Sequence, residues 1–212
     1  MPILGRTGQL FVISAPSGVG KTTLVRLLLQ ELPDLRFSVS CTTRPPRLGE
    51  TDGKDYHFLD KAAFLAGIEE GRFLEWAQVH GEYYGTDRLK LEAWLEAGND
   101  VLLDIDIQGA RQVRCLFPLA HTLFILPPSW EILEQRLQAR GTEAQEQVAA
   151  RLSAAHREVQ EAPWYDFIVV NDLLETAVAD LVAIIRAARC RQMVQGERLR
   201  ALLDFPAPPS PS

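Results

Sequence analysis

The segment "SAPSGVGKTT" at residues 14–23 constrains the fold of this chain more than any other stretch. The apolar run "QLFVIS" leads into it and predicts a buried strand. Leu24, Leu27 and Leu28 follow it on one face of a helix, which Pro33 ends. A glycine-rich turn between a strand and a helix directs backbone N–H groups inward and, with the helix N-terminus, binds anionic oxygens. The segment therefore predicts a phosphate-binding loop.

The spacing of this loop is that of the G-x-x-x-x-G-K-[ST] motif, except that Ala15 stands in place of the first glycine. Alanine is compatible with the loop wherever the backbone has a negative φ. A plain glycine-rich turn would explain the glycines but not Lys21 and Thr22 at the start of the helix. Lys21 can reach outer phosphates, and the Thr22 hydroxyl can bind Mg²⁺. The predicted phosphate-binding residues are Ala15, Pro16, Ser17, Gly18, Val19, Gly20, Lys21, Thr22 and Thr23.

The rest of the chain alternates apolar strands with amphipathic helices. Three further buried strands are predicted at residues 99–106, 121–126 and 166–170. The helical patterns lie at residues 109–116, 129–140 and 143–162 and, as one long helix, at about 173–203. Buried strands that alternate with helices indicate an α/β fold with a parallel sheet covered by helices on both faces.

Residues 38–88 interrupt this alternation with turn residues, short alternating segments and one helical stretch at 61–70. They predict an inserted region of mixed β-structure. Thr86 is a plausible N-cap for a helix at 87–97, which Gly98 ends.

Gly141 separates the helix at 129–140 from the next helix, for which Thr142 and Gln145 form a capping box. This helix–break–helix pattern predicts a helical lid. The predicted division of the chain is a core of residues 1–37, 89–136 and 153–204, an insertion of 38–88, a lid of 137–152 and a disordered tail of 205–212.

Composition excludes several classes of protein. The net charge of −6 argues against nucleic-acid binding, which needs a basic face. No apolar run approaches the roughly 18–20 residues that span a bilayer. Cys41, Cys115 and Cys190 have neither metal-ligand nor disulfide spacing, and the four histidines are scattered. We therefore expect a cytoplasmic protein that binds no membrane.

The chain resembles the guanylate kinase family in motifs that follow the phosphate loop. They are "SVSCTTRPPRLGETDGKDYHF", "FLEWAQVHGEYYGT", "LLDIDIQGA", "RLQARGT" and "VVND", spread from about residue 8 to 189. The resemblance implies an enzyme that transfers the γ-phosphate of ATP to GMP, with Mg²⁺, on a phosphate-loop kinase core that carries an inserted GMP-binding region and a helical lid.

The resemblance implies that the insertion binds GMP. Arg44 and Arg47, with Tyr56 and Tyr84, are expected to hold the phosphate, and the proline-stiffened "TRPPR" suits this role because its two guanidinium groups fit a dianion. Taken alone, the segment could equally be a solvated basic turn. The guanine-reading positions of the family correspond to Ser40, Glu75, Thr86 and Asp106.

Asp104 and Asp106 alternate in the sequence, so as members of one strand they would point to opposite faces. Asp104 is assigned to Mg²⁺ through water, as phosphate-loop enzymes require, and Asp106 to the guanosine side. Which of the two serves the metal stays open.

Three arginines of the lid region and one asparagine complete the expected site. Arg136 and Arg140 lie four residues apart on one helical face, and Arg151 follows on the next helix. By resemblance, Arg140 and Arg151 approach the transferring phosphate, Arg136 approaches the adenine and phosphates, and Asn171 lies near the adenine. Without the family, a solvated charged face would explain these arginines.

The expected catalytic residues are Lys21, Arg44, Arg140 and Arg151, acting by positioning and charge neutralisation without a covalent intermediate. One alternative is a catalytically silent guanylate-kinase-like module that binds protein ligands, although such a module would be expected to lose parts of this apparatus. Another is a kinase for a different monophosphate, which Ser40 and Glu75 disfavour. The expected partners are ATP and GMP, and the protein is expected to be a monomer or a homodimer.

Overall fold

Two β-sheets and the helices around them make up the described chain. The computed structural model describes residues 8–79, 81–139 and 145–203. Its strands are β1 (Leu10–Ser14), β2 (Arg36–Phe37), β3 (Cys41–Thr42), β4 (His57–Phe58), β5 (Phe73–Val79), β6 (Glu82–Asp87), β7 (Val101–Asp104), β8 (His121–Leu126) and β9 (Phe167–Val170). Its α-helices are α1 (Lys21–Glu31), α2 (Lys61–Glu69), α3 (Arg88–Glu96), α4 (Ile107–Leu116), α5 (Trp130–Gln138), α6 (Gln145–Val159), α7 (Leu174–Arg189) and α8 (Gly196–Leu203).

The larger sheet is parallel throughout and has the strand order β2-β7-β1-β8-β9. Its central strand β1 is buried along its whole length, and its side chains alternate between two apolar cores. Phe11 and Ile13 pack against α1 and α7, while Leu10 and Val12 pack against α3 and α4. The predicted α/β fold with helices on both faces is confirmed.

The smaller sheet lies within residues 38–88 and has the order β4-β3-β6-β5. It is mixed, because β3 pairs parallel with β4 but antiparallel with β6, which also pairs antiparallel with β5. This agrees with the mixed β-structure expected there. The division into core, insertion and lid remains a prediction.

The long helix expected at 173–203 is two helices, α7 and α8. The first ends at Arg189, whose carbonyl accepts a hydrogen bond from the Gln195 side chain at 2.7 Å. The Cys190 and Arg191 amides bond back three residues to the Ala187 and Ala188 carbonyls, which tightens the last turn, and the Gln195 side chain satisfies one of the carbonyls left over. The single-helix prediction was therefore wrong.

Two local predictions also fail at the ends of other helices. Asp87 rather than Thr86 caps α3, because its carboxylate accepts from the Lys90 amide at 3.2 Å. Asp106 is not a strand residue: β7 ends at Asp104, and Asp106 caps α4 by accepting from the Gly109 amide at 2.8 Å. The inference that Asp104 and Asp106 alternate across one strand was thus wrong.

Some predictions lie outside the described residues. These are the capping residue Thr142, the break at Gly141, the tail at 205–212 and the catalytic candidate Arg140. Within residues 8–79, 81–139 and 145–203, no helix combines the length and the apolar character that crossing a membrane would need.

Candidate active site

The phosphate loop connects β1 to α1 at the carboxyl edge of the larger sheet. Gly18 and Gly20 have φ values of 91° and 96°, a region that glycine occupies at little cost. Gly20 is also the N-cap of α1 and provides no side-chain acceptor for the first helical amides. The first amides of α1 therefore receive no hydrogen bond from an N-cap side chain, and phosphate binding there stays a prediction.

Arg136 and Asn171 form hydrogen bonds to the backbone of this loop. The Asn171 side-chain amide donates to the Val19 carbonyl at 2.7 Å. Arg136 Nη1 donates to the Val19 carbonyl at 3.3 Å and to the Asn171 carbonyl at 3.1 Å. Both residues were predicted to lie near the adenine. In this structure their contacts hold the loop backbone, and an additional adenine contact stays a prediction.

Lys21 and Asp104 form an ion pair directly beside the loop. The two side chains are 22% and 20% exposed, so the pair is accessible to a ligand. Lys21 Nζ also donates to the Ile105 carbonyl at 3.4 Å, which also accepts from the Ser14 hydroxyl at 3.0 Å. These bonds join the end of β1, the start of α1 and the end of β7.

Arg44, Tyr56 and Tyr84 lie together at the smaller sheet: Tyr84 is on β6, Arg44 follows β3 and Tyr56 precedes β4. The Arg44 guanidinium carbon is 5.3 Å from the centre of the Tyr56 ring, and the Tyr56 and Tyr84 rings are 6.0 Å apart. Burial raises the pKa of Tyr56, and the nearby Asp104 carboxylate raises it further. This carboxylate is the one that pairs with Lys21.

Glu50 belongs to this cluster, although the sequence analysis did not select it. Its two carboxylate oxygens accept from Arg44 Nη2 at 2.8 and 3.0 Å, and one also accepts from the Arg47 amide at 2.7 Å. Hydrogen bonding from Arg44 lowers the pKa of Glu50. The Arg47 residue is exposed. The only signal in the sequence is an acidic residue in a turn-rich segment, which is too common to single out.

Glu75 is a buried carboxylate on β5, with 3% of its surface exposed. Its Oε1 accepts from the Thr86 hydroxyl at 2.6 Å, which explains why Thr86 does not cap α3. Burial raises the pKa of the Glu75 carboxyl most, the Thr86 hydrogen bond lowers it and the neighbouring Asp106 carboxylate raises it, and the net value is about 7. Since Cys41 pairs with Gly85, Ser40 comes next to Thr86 at the end of that pairing. The four predicted guanine-reading residues thus gather in one region.

The remaining lid candidate is Arg151, which lies half-buried on α6. This helix packs on α5 through an apolar cluster of Leu133, Leu137, Val148 and Ala155. The approach of Arg151 to a transferring phosphate stays a prediction.

Folding stability offers a direct check on the buried Glu75. Its pKa of about 7 exceeds the ordinary value of 4.5, so the folded state binds more protons than the unfolded state between these pH values. The free energy of unfolding should therefore fall by about 2–4 kcal/mol as the pH rises from 4.5 to above 7. Glu75→Gln should remove that fall. Denaturant titrations from pH 5 to 8.5 without nucleotide measure it, with the exposed Glu96→Gln as the control. Parallel pH profiles of Glu75→Gln and the unsubstituted protein would contradict the expectation.

The parallel sheet and the glycine-rich loop between β1 and α1 together define a class of protein, the phosphate-loop α/β proteins. A family model described as guanylate kinase matches residues 7–188. The chain belongs to the guanylate kinase family, as the sequence resemblance implied.

Individual relatives agree with this assignment. The guanylate kinase of Aromatoleum aromaticum is 50% identical over 198 residues, covering 93% of this chain and 97% of that protein. The guanylate kinase of Symbiobacterium thermophilum is 52% identical over 192 residues, covering 91% of each. A crystal structure of guanylate kinase from Anaplasma phagocytophilum matches with a TM-score of 0.79 and 32% identity, covering 97% of this chain and all of that one. The chain is therefore a nucleoside monophosphate kinase.

Proposed function

We propose that the chain transfers the γ-phosphoryl group of ATP to GMP by direct in-line displacement, giving ADP and GDP. A phosphate oxygen of GMP forms the new bond to the γ-phosphorus, and the bond from that phosphorus to the bridging oxygen of ADP breaks. Two clusters support this proposal: Lys21 with Asp104 beside the phosphate loop, and Arg44 with Tyr56 and Tyr84 beside the smaller sheet. The Asp104 carboxylate that pairs with Lys21 also raises the pKa of Tyr56.

On the ATP side, the loop of residues 15–23 binds the phosphates through its backbone amides and Lys21. Gly18 and Gly20 suit this role because their positive φ values turn the loop tightly at the start of α1. Arg136 and Asn171 keep the loop in place through the Val19 carbonyl and also border the adenine.

On the GMP side, Arg44 and Arg47 with Tyr56 and Tyr84 bind the phosphate. Arg44 Nη1 donates to the Pro45 carbonyl at 2.8 Å and Nη2 to Glu50, and the planar guanidinium suits bidentate binding of phosphate oxygens.

The guanine base is read by Glu75, with Ser40, Thr86 and Asp106 around it. Guanine presents N1–H and N2–H₂ side by side, and an ionised carboxylate accepts from both at once, while the Ser40 hydroxyl donates to O6. The burial of Glu75 supports this role, because a buried carboxylate is costly unless a ligand or partner uses it.

The residues near the loop also fit Mg²⁺, which usually keeps several waters and binds one or two carboxylates plus substrate phosphates. Thr22 is exposed on the first turn of α1, and Asp104 is partly exposed beside Lys21. We propose that Thr22 holds the ion directly and Asp104 through water. When bound, the ion neutralises charge on the β- and γ-phosphates. Within the described residues no group of three or more His, Cys, Asp or Glu side chains could hold a metal ion by itself.

Catalysis rests on positioning and on neutralising the charge of the transferring group. Lys21 and Arg44 contribute from opposite sides, and Arg140 and Arg151 from the lid. We further propose that residues 38–88 form the GMP-binding unit and 137–152 the lid on a core of 1–37, 89–136 and 153–204. The protein is proposed to act in the cytoplasm as a monomer or a homodimer, without nucleic-acid partners.

A coupled assay for ADP formation with ATP and each of GMP, AMP, CMP and UMP tests this function. We expect kcat/KM for GMP to exceed that for AMP by roughly 10⁴-fold or more, because AMP leaves buried polar groups unpaired. A rate with AMP, CMP or UMP comparable to the rate with GMP would contradict the guanine assignment. Binding of nucleotides without turnover would instead favour the silent binding module.

A further inference from the structure

One face of α4 is turned towards β5, the strand that carries Glu75. Asp106, Gly109 and Gln112 follow one another at intervals of three residues and so share this face. Gly109 lies against the Glu75 carboxylate, Gln112 bonds the backbone of Trp76, and the charge of Asp106 raises the pKa of Glu75. Only Asp106 has a role in the function proposed above.

Gln112 fixes the position of β5 against α4. Its side-chain amide donates to the Trp76 carbonyl at 2.8 Å, and its side-chain oxygen accepts from the Trp76 amide at 3.2 Å. β5 is an edge strand of the smaller sheet, so the Gln112 amide group takes the place that a neighbouring strand would have. Trp76 directly follows Glu75, and the two bonds therefore fix the position of the Glu75 backbone along the axis of α4.

Gly109 provides the space for the Glu75 carboxylate. A Cβ atom built at Gly109 would lie 2.3 Å from Glu75 Oε2 and 3.0 Å from its carboxyl carbon. Gly109 lies inside α4 with no left-handed φ, so the backbone conformation itself does not require glycine. The space that glycine leaves open is occupied by the end of one side chain, and that side chain is the one proposed to read the base.

We propose that Gly109 and Gln112 are positioning residues for base specificity. Gln112 fixes the position of β5 along the axis of α4. Gly109 leaves the space in which the Glu75 carboxylate reaches the plane where guanine binds. This inference rests on the proposed guanine-reading role of Glu75. It predicts that a single methyl group on α4 displaces the carboxylate while the fold is preserved, because the Glu75 side chain can turn away from the clash.

Gly109→Ala is the sharpest test. We expect kcat/KM for GMP to fall about 10- to 100-fold, the size of effect that an approximately 1 Å misplacement produces. Most of this fall in kcat/KM should come from a higher KM for GMP. KM for ATP and the activity with AMP should stay within about twofold, so the GMP-to-AMP ratio should fall with the GMP activity. The melting temperature should stay the same or rise, since alanine favours helix.

The matched control is Gly196→Ala, because Gly196 begins α8 and a Cβ there meets nothing within 4 Å. Gln112→Ala is a second variant that adds no atoms, and it should raise KM for GMP several-fold. Its control is Gln78→Ala on the same strand, which loses only a bond of 3.2 Å to the Gly81 carbonyl.

Calorimetry with guanosine and adenosine separates base binding from phosphate binding. Weaker guanosine binding by Gly109→Ala, with an unchanged melting temperature, supports the positioning role. An unchanged GMP-to-AMP ratio in Gly109→Ala, or equal losses with both nucleotides, overturns it. If Glu75→Gln loses the preference for GMP but Gly109→Ala keeps it, the positioning role of Gly109 is wrong and the guanine-reading role of Glu75 stands. If both variants keep the preference, both roles are wrong.

Discussion

Replacing Lys21 by alanine is expected to lower kcat by about 10²–10⁴-fold, comparable to removing one strong donor that stabilises transition-state charge. Lys21 lies at the start of α1 beside the phosphate loop and pairs with Asp104, where the outer phosphates of ATP are proposed to bind. GMP binding should survive, because the residues proposed to hold GMP come from the smaller sheet and from α4. Steady-state kinetics with ATP and GMP measure the first effect, and calorimetry with GMP alone measures the second.

Lys90→Ala is the matched control, since Lys90 is an exposed lysine whose ammonium lies 5.0 Å from the Trp94 ring. It should leave both kcat and GMP binding unchanged. Loss of GMP affinity in Lys21→Ala as large as the loss of kcat would refute the division into an ATP side and a GMP side. Retention of full kcat would remove Lys21 from the catalytic residues.

Replacing Glu75 by glutamine is expected to lower kcat/KM for GMP by about 2–4 kcal/mol, which is tens to several hundredfold. Glutamine keeps the size of the side chain and can still accept from the Thr86 hydroxyl, but it loses the charge and one acceptor. Activity with AMP should fall little or even rise, because adenine presents a ring lone pair where guanine presents a donor. Steady-state kinetics with both nucleotides at pH 8 measure the change. Equal losses with GMP and AMP would make Glu75 a structural residue.

The same variant should alter the pH profile. Only ionised Glu75 can accept from both guanine donors, and its pKa in the empty protein is about 7. The value of kcat/KM for GMP should therefore rise as the pH increases through about 7, since this parameter reports the free enzyme. The phosphate of GMP also titrates, near pH 6. The pH profile of Glu75→Gln shows the effect of the GMP phosphate without that of Glu75. A rise in kcat/KM near pH 7 that persists in this variant would contradict the assignment to Glu75.

Short-range features of this protein could be read from the sequence. The strand, glycine turn and helix at residues 10–31 are local, and each is encoded by neighbouring residues: an apolar run, glycines able to adopt positive φ, and leucines on one helical face. The alternation of buried strands and helices likewise predicted the parallel sheet. The ends of the helices were predicted less accurately than their presence. The break between α7 and α8 was missed because no glycine or proline marks it at residues 190–195.

The site was predictable as a set of residues but not as an arrangement. Family motifs selected Arg44, Tyr56 and Glu75, yet no spacing in the sequence indicates that Glu50 binds Arg44.

The sequence alone determined the phosphate loop, the α/β class and the family, because these follow from local periodicity and contiguous motifs. The tertiary structure decided that Thr86 bonds Glu75 instead of capping α3, that Asp106 caps α4, and that Gly109 faces a carboxylate. These depend on contacts between β5, β6 and α4, which come from different parts of the chain. Burial raises the pKa of Glu75 for the same reason, since packing around a carboxyl group rather than its neighbours in sequence removes it from water.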